Sequence, residues 1–191
     1  MSAESRKPTL VVVSGPSGSG KTTLAHELAA VIGCPAVCRD EIKEGMAHGI
    51  AGYEPRPDDP LPWRTFEVFF DVLQLFARAG VSVVAEAAFQ DPLWRRGLER
   101  VTPWANTRIV HCVVDGDRAY ERRLARAVAD PARRAVHETP DQTPDREAAL
   151  RGHEAFVRLS LDAPWIEVDT TDGYAPELAV VAAWVRERVL D

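Results

Sequence analysis

The segment Gly15 to Thr22, with the sequence GPSGSGKT, constrains the fold of this chain more than any other feature. It matches the pattern GxxxxGK[ST] and follows a β-branched apolar run over residues 9–13. A helical pattern over residues 21–31 comes directly after it. In such a unit the glycines let backbone N–H groups surround a phosphate chain at a helix N-terminus. The alternative is a glycine- and serine-rich turn that only caps a helix, and the flanking strand and helix favour phosphate binding.

The motif also predicts which groups of the loop meet a nucleotide. We expect Lys21 to reach the β- and γ-phosphates and to act in phosphoryl transfer, and we expect Thr22 to give a hydroxyl to Mg²⁺. ATP and Mg²⁺ are therefore the predicted cofactors. The predicted nucleotide contacts within the loop are Gly15, Pro16, Ser17, Gly18, Ser19, Gly20, Lys21, Thr22 and Thr23.

Strand-length apolar runs alternate with helical patterns along the rest of the chain. The runs cover residues 9–13, 36–38, 81–85, 108–114 and 165–168. Five strands separated by helices predict an α/β fold, a three-layer structure with a five-stranded parallel sheet between helices. With 191 residues, the chain is long enough for one substantial core and short for two, so a single domain over 1–191 is expected.

Two segments interrupt this alternation. Residues 48–63 are crowded with glycine and proline, which predicts a surface excursion on the substrate side. Residues from about 127 to 145 are polar and interrupted by prolines, and we expect them to form a helical lid. Between them, Asp117 is predicted to cap a helix whose inward face carries Tyr120, Leu124 and Val128.

Charge and cysteine usage limit the class of partner and the compartment. The net charge of −6 argues against a polyanion such as nucleic acid as the main partner. The three cysteines form no CxxC pair and no disulfide framework, and the five histidines show no ligand spacing. The sequence has neither a signal peptide nor a run of about 18 apolar residues, so we expect a cytoplasmic protein without a membrane anchor. The oligomeric state is not predicted.

Asp40 lies in the segment CRDEIKEGM, which directly follows the second predicted strand. The carboxyl ends of parallel strands meet at one edge of the sheet, so Asp40 should face the same crevice as the phosphate-binding loop. A carboxylate there can accept a hydroxyl proton. The other interpretation makes Asp40 the N-cap of the next helix, and one residue can fill both roles.

A P-loop followed about 20 residues later by such an aspartate resembles chloramphenicol phosphotransferase and the kinase domain of phage-type polynucleotide kinase. The resemblance implies that Asp40 is the general base and that Lys43 stands where an arginine contacts the acceptor. Ile42 and Lys43 replace an aromatic residue and an arginine of the polynucleotide kinase pattern, which argues against polynucleotide recognition.

Two further segments extend the resemblance. The stretch from Ile166 to Val185 is similar to the C-terminus of the chloramphenicol enzyme and implies that the turn at Thr171 holds adenine. The sequence RLARA resembles the lid helix of gluconate- and shikimate-kinase-like enzymes. By that resemblance Arg126 lies against adenine, and Arg133 or Arg134 clamps the phosphates. The alternative is a solvated helix face paired with Glu121.

Glu86 ends the third predicted strand inside an apolar run, where a carboxylate needs a partner. It is predicted to hold Mg²⁺ through water and to face the substrate, or alternatively to form a structural hydrogen bond to the loop. The predicted acceptor pocket combines acidic and aromatic side chains, namely Asp40, Glu44, Tyr53, Trp63 and Phe89.

The predicted activity is transfer of the γ-phosphoryl group of ATP to a hydroxyl of a small molecule. The first alternative is a nucleic-acid 5′-hydroxyl kinase, which needs a basic groove. The second is a nucleotide-dependent switch, which has no use for a base at Asp40.

Overall fold

The computed structural model describes residues 7–138 and 145–187. Its centre is a five-stranded sheet with the order β2-β3-β1-β4-β5, in which all the paired strands are parallel. This confirms the predicted α/β class and the parallel sheet. The strands are β1 Thr9–Ser14, β2 Ala36–Cys38, β3 Val83–Glu86, β4 Asn106–Val113 and β5 Trp165–Asp169.

Helices cover both faces of this sheet. They are α1 Lys21–Ile32, α2 Arg39–His48, α3 Leu61–Arg78, α4 Leu93–Leu98, α5 Gly116–Ala129, α6 Pro131–His137, α7 Arg146–Glu154 and α8 Leu178–Arg186. A 3₁₀ turn, Thr102–Trp104, precedes β4. No helix within residues 7–138 and 145–187 combines the length and the apolar character needed to cross a membrane.

Alternation along β1 explains why its sequence is apolar throughout. Leu10 and Val12 point to one face and pack in a core cluster with α3, whereas Val11 and Val13 pack on the other face with α1 and α8. A strand that is buried on both faces has no solvent side that would carry polar residues. β1 occupies the middle of the sheet, and the loop that leaves its carboxyl end is therefore held by the most buried part of the fold.

The phenylalanine-rich segment forms helix α3. Phe66, Phe69, Phe70 and Leu73 are buried on the face of α3 that meets the sheet. The helix begins at Leu61, so irregular chain fills residues 49–60, and the last three residues of the predicted excursion belong to α3. The chain leaves the helix through Gly80, whose φ of 76° favours glycine.

Two predictions about the second half of the chain are wrong. The N-cap of α5 is Asp115, whose carboxylate accepts the Arg118 N–H at 3.0 Å, and not Asp117. Val128 is 82% exposed, while the buried residue of α5 is Ala119. The last helix before β5 ends at Glu154, where the chain turns and buries Leu159 against the α3 side of the core.

Candidate functional site

The loop between β1 and α1 has the conformation of a phosphate cradle. Gly18 and Gly20 have φ angles of 85° and 71°, which side chains rarely tolerate. A Cβ atom on Gly18 would lie 2.3 Å from the carbonyl oxygen of Ala119, so glycine also allows α5 to approach the loop. No side chain caps the N-terminus of α1, which leaves its first N–H groups available to an anion.

Polar atoms of this loop have unused bonding capacity that suits a phosphate chain. The hydroxyl of Ser19 is fully buried and has no hydrogen-bond partner among the described residues. The Lys21 ammonium lies 3.3 Å from the carbonyl oxygen of Pro16, folded back over the loop, and its side chain is 15% exposed. The cradle thus offers uncapped N–H groups, a hydroxyl and a cation in one place.

Glu86 lies beside Lys21 and Thr22 at the carboxyl end of β3. Its side chain is almost fully buried, and the Thr22 hydroxyl donates to Oε2 at 3.1 Å. Burial raises the pKa of Glu86, and the Lys21 charge 3.8 Å from Oε1 acts in the opposite direction. The structural hydrogen bond to the loop is therefore present. The same two oxygen groups are the hard ligands that Mg²⁺ prefers, so the residues fit a magnesium ion held directly or through water.

Asp40 lies in the first turn of α2, just beyond β2. The N-cap position belongs to Cys38, so the interpretation of Asp40 as a cap is wrong. Its carboxylate pairs with Arg39 at 3.1 Å and with Arg133 at 3.5 Å, and the side chain is 42% exposed. Burial alone would raise the pKa of Asp40, but the charges of His137, Arg39 and Lys21 outweigh it and lower the pKa. Asp40 is consequently an ionised carboxylate at neutral pH.

Helix α6 is docked onto α2 by a group of polar contacts. Arg133 pairs with Glu44 at 2.8 Å, and His137 contacts the same carboxylate at 2.9 Å. The Lys43 ammonium donates to the carbonyl oxygen of Val136 at 2.8 Å. Lys43 is only 6% exposed, which places it beneath α6 and not on the acceptor side as predicted. The sequence could not show this, because α6 lies far along the chain from Lys43.

The two predicted clamping arginines differ in their surroundings. Arg133 faces Asp40 and Glu44 with a side chain that is 18% exposed. Arg134 pairs with Glu138 on its own helix and is 42% exposed. The centre of the predicted lid, residues 139–144, lies outside the described residues.

Among the cavities formed by the described residues, three bear on the candidate site. The α7 cavity, about 340 Å³, lies between the loop and α7 and is lined by residues that include Pro16, Ser17, Lys21, Arg39, Asp40, Glu86, Gln90, Trp94, Arg123 and Phe156. The α6 cavity, about 220 Å³, is lined by residues that include Ser17, Asp40, Arg123, Arg126, Arg133, Arg134 and His137. The turn cavity, about 380 Å³, is lined by Gly18, Gly20, Thr23, Arg122, Arg126, Thr170, Gly173 and Tyr174.

The predicted aromatic lining of the acceptor pocket is wrong. Phe89 is fully buried and packs against Phe69 and Trp94 in the core, because the chain turns inward after β3. Tyr53 donates a hydrogen bond to Asp59 and packs against the small core cluster between α2 and α3. Trp63 is 58% exposed and stacks on Phe66. None of Phe89, Tyr53 and Trp63 lines the three cavities, and the aromatic walls of the α7 cavity are Trp94 and Phe156.

Arg122 organises the turn after β5. It donates to the carbonyl oxygens of Thr170 and Thr171 at 2.7 and 3.1 Å. The Thr171 hydroxyl accepts the Asp115 N–H, so Thr171 supports the turn and does not line the turn cavity. Thr170 connects the turn to the loop by donating to the carbonyl oxygen of Ser19 at 2.7 Å. Arg126 lines both the turn and α6 cavities.

The chain is similar to a known protein family and to several solved structures. The family model described as AAA domain matches residues 10–149. A candidate kinase from Chloroflexus aurantiacus J-10-fl superposes with a TM-score of 0.80 at 24% identity, covering 95% of this chain and 98% of that chain. A gluconokinase from Sinorhizobium meliloti 1021 gives a TM-score of 0.58 at 19% identity, with 94% and 93% covered.

The Mycobacterium tuberculosis APS kinase, solved with AMPPNP and APS, gives a TM-score of 0.59 at 16% identity, with 94% of this chain and 95% of that chain covered. A comparison with curated protein sequences gave no match. The sequence identities to these three structures are too low for a substrate to be inferred from them, but the three structures agree on the fold. The chain belongs to the AAA domain family, and its three-layer structure is that of the P-loop kinases.

Proposed function

We propose that this protein is an ATP-dependent phosphotransferase that moves the γ-phosphoryl group of ATP to a hydroxyl of a small molecule. The observation that carries the proposal is the position of Asp40, which lines both the α7 cavity and the α6 cavity. An acceptor in the first cavity and phosphates extending into the second would meet beside this carboxylate. A protein that only binds or hydrolyses a nucleotide has no need for a second cavity that opens on an ionised aspartate.

In this proposal adenine occupies the turn cavity and the triphosphate follows the loop toward Asp40. Tyr174 and Arg126 supply a flat apolar surface and a cation beside the base, and Lys21 meets the β- and γ-phosphates. One Nη atom of Arg122 is buried and has no hydrogen-bond partner among the described residues, which leaves it free for a ligand oxygen. Mg²⁺, when bound next to Thr22 and Glu86, would neutralise charge that develops on the phosphates.

Asp40 and Lys21 have separate roles in the proposed phosphoryl transfer. Asp40 accepts the proton of the acceptor hydroxyl, and the oxygen forms a bond to the γ-phosphorus. The bond between that phosphorus and the β,γ-bridging oxygen breaks, and ADP leaves with its electron pair. Lys21 stabilises the equatorial oxygens, where the transition state concentrates negative charge.

Arg133 completes the site by changing partners. Its guanidinium pairs with Glu44 and Asp40 when α6 is docked, and a γ-phosphate placed in the α6 cavity offers it a stronger bidentate partner. Movement of Arg133 to the phosphate would release Asp40 to accept the hydroxyl proton. Arg134 lies on the same helix and remains the second proposed clamp.

The acceptor is expected to be small and polar. About 340 Å³ suits a molecule of metabolite or antibiotic size. Gln90, Arg39 and Arg123 supply donors, while Trp94 and Phe156 supply apolar walls. The net charge of −6 gives no general attraction for a nucleic acid, and the protein is proposed to work on free metabolites in the cytoplasm.

Acceptor-dependent ADP release tests the proposal. The protein would be incubated with ATP and Mg²⁺ alone, with a 5′-hydroxyl oligonucleotide, and with panels of sugars, nucleosides, amino alcohols and hydroxylated antibiotics. Release that requires a small hydroxylated compound supports the proposal. Release only with the oligonucleotide supports a nucleic-acid kinase, and acceptor-independent hydrolysis supports a nucleotide switch.

A further inference from the structure

A cluster of three metal-ligating side chains lies beside the proposed active site. It consists of His26 on α1, Cys38 at the end of β2 and Glu41 in the first turn of α2. The His26 Nε2 lies 2.6 Å from the Glu41 Oε1 and 3.6 Å from the Cys38 Sγ. All three ligand atoms lie within 4.8 Å of one another. The geometry points to a binding site for a thiophilic divalent transition metal, with Zn²⁺ as the occupant.

The ligand set selects this class of metal. Thiolate, imidazole and carboxylate are the usual protein ligands of Zn²⁺, whereas Mg²⁺ and Ca²⁺ take oxygen ligands. Typical bond lengths of 2.3 Å to sulfur and about 2.05 Å to nitrogen put tetrahedral S and N ligands about 3.5 Å apart. The observed separation of 3.6 Å between Cys38 Sγ and His26 Nε2 agrees with that value. The Glu41 carboxylate oxygen would have to move about 0.8 Å away from the His26 Nε2 to complete the tetrahedral arrangement.

The surroundings of the cluster allow a metal to enter. Cys38 is buried, but the side chains of His26 and Glu41 are 50% and 44% exposed. The buried sulfur thus forms the floor of a site whose other two ligands can rotate. Water from the exposed side would take the fourth position, as in zinc sites with three protein ligands.

Hydrogen bonding leaves the groups of this cluster with competing partners. The His26 Nε2 carries either one proton or one lone pair. If it donates to Glu41, the Cys38 thiol is left with the carboxylates of Glu86 and Glu41 as acceptors; if it accepts from the thiol, it loses Glu41 as a partner. A metal ion that displaces the thiol proton uses a lone pair from all three groups at once.

This site is separate from the proposed magnesium site. The latter uses the oxygens of Thr22 and Glu86; of the three cluster residues, Cys38 contacts Glu86 through a hydrogen bond but is not one of the proposed magnesium ligands. The two sites are nonetheless neighbours, because Cys38 and Glu86 are paired residues on β2 and β3. Zn²⁺ at the cluster would join α1, which follows the phosphate-binding loop, to the start of α2, which carries Asp40.

Cobalt substitution tests the site with a probe that reports its own ligands. The full chain would be titrated with Co²⁺ in excess Mg²⁺, and absorption would be followed in the sulfur-to-cobalt charge-transfer and ligand-field regions. We expect one Co²⁺ per chain, a charge-transfer band, and displacement of both signals by Zn²⁺. Zn²⁺ should also raise the melting temperature, because it binds the native state.

Variants at each ligand identify the site. Cys38→Ser should abolish the charge-transfer band, and His26→Ala or Glu41→Gln should weaken Co²⁺ binding at least about 10- to 100-fold. His26 and Glu41 are exposed, so their variants should retain the wild-type circular dichroism. The matched controls Cys34→Ser, His48→Ala and Thr22→Ala should bind Co²⁺ like the wild type. Failure to form the band, its persistence in Cys38→Ser, or unchanged affinity in both His26→Ala and Glu41→Gln would overturn the proposal.

Discussion

Replacing Asp40 by asparagine separates its proposed chemistry from its structural contacts. Asparagine keeps the shape and one oxygen acceptor but cannot take a proton under working conditions. General-base assistance contributes about 10²- to 10⁴-fold to a rate. We therefore expect turnover with the identified acceptor to fall by that factor, which corresponds to about 3 to 5 kcal/mol of barrier.

The structural cost of the same change is smaller. Asp40 is 42% exposed, and its ion pairs with Arg39 and Arg133 are worth at most about 1 kcal/mol each. Its position in the first turn of α2 adds about 0.3 to 1 kcal/mol through the helix dipole. Since Asp40 caps nothing, Asp40→Asn should cost at most about 2 to 3 kcal/mol of stability, less than the loss of catalysis.

Three measurements decide this prediction: turnover, ATP affinity by calorimetry and the melting temperature. ATP affinity should change little. Wild-type turnover in Asp40→Asn would show that the base lies elsewhere, with Glu86 and Glu44 the next candidates. A parallel loss of ATP binding would move Asp40 into the nucleotide and metal site. The pKa of Asp40 is lowered, and the base works only when it is ionised. Protonation of Asp40 should therefore not reduce wild-type turnover until the pH drops below about 4.

Other substitutions test the cradle and the docking of α6. Lys21→Ala should abolish phosphoryl transfer while circular dichroism stays unchanged, and near-wild-type turnover would refute the role of the loop. Gly18→Ala should lose about 2 to 4 kcal/mol of stability, since the new Cβ meets the Ala119 carbonyl at 2.3 Å. Its control Gly52→Ala has φ 65° but open space, so denaturant titration should give a loss of only about 1 to 2 kcal/mol. Lys43→Met should speed amide exchange throughout α6 by about 10-fold, because it removes a charged hydrogen bond; unchanged exchange would mean that other contacts hold α6.

The local sequence pattern was sufficient to predict the fold. The unit around Gly15 to Thr22 combines an apolar strand, a glycine-rich loop and a helical pattern. This combination is typical of a phosphate-binding loop. The apolar runs of β1 and the phenylalanine stripe of α3 report burial directly, because burial on one or two faces fixes their periodicity. The position of Asp40 at the sheet edge follows from the same rule, since parallel strands end together.

Helix boundaries and caps were less well determined. Asp115 and Asp117 are equally good caps by type, and only the observed bond to the Arg118 N–H distinguishes them. The inward face of α5 was misassigned because its contact with Gly18 uses Ala119, a residue too small to mark an apolar stripe.

Assembly of the pockets depended on contacts between distant segments. The sequence placed Phe89 and Lys43 at the acceptor, yet Phe89 completes the core and Lys43 is buried beneath α6. Trp94 and Phe156, which wall the α7 cavity, carry no signal in the sequence that separates them from ordinary core residues.

The same contrast between local sequence pattern and tertiary contacts applies to the cluster of His26, Cys38 and Glu41. The sequence shows no ligand spacing because the members of the cluster come from different elements, and packing of α1 against β2 brings them together. The sequence by itself determined the sheet, the phosphate-binding loop and the edge at which chemistry takes place, because each is set by neighbours along the chain. The tertiary structure alone decided which side chains share a cavity, because that depends on how the close-packed interior accommodates each one.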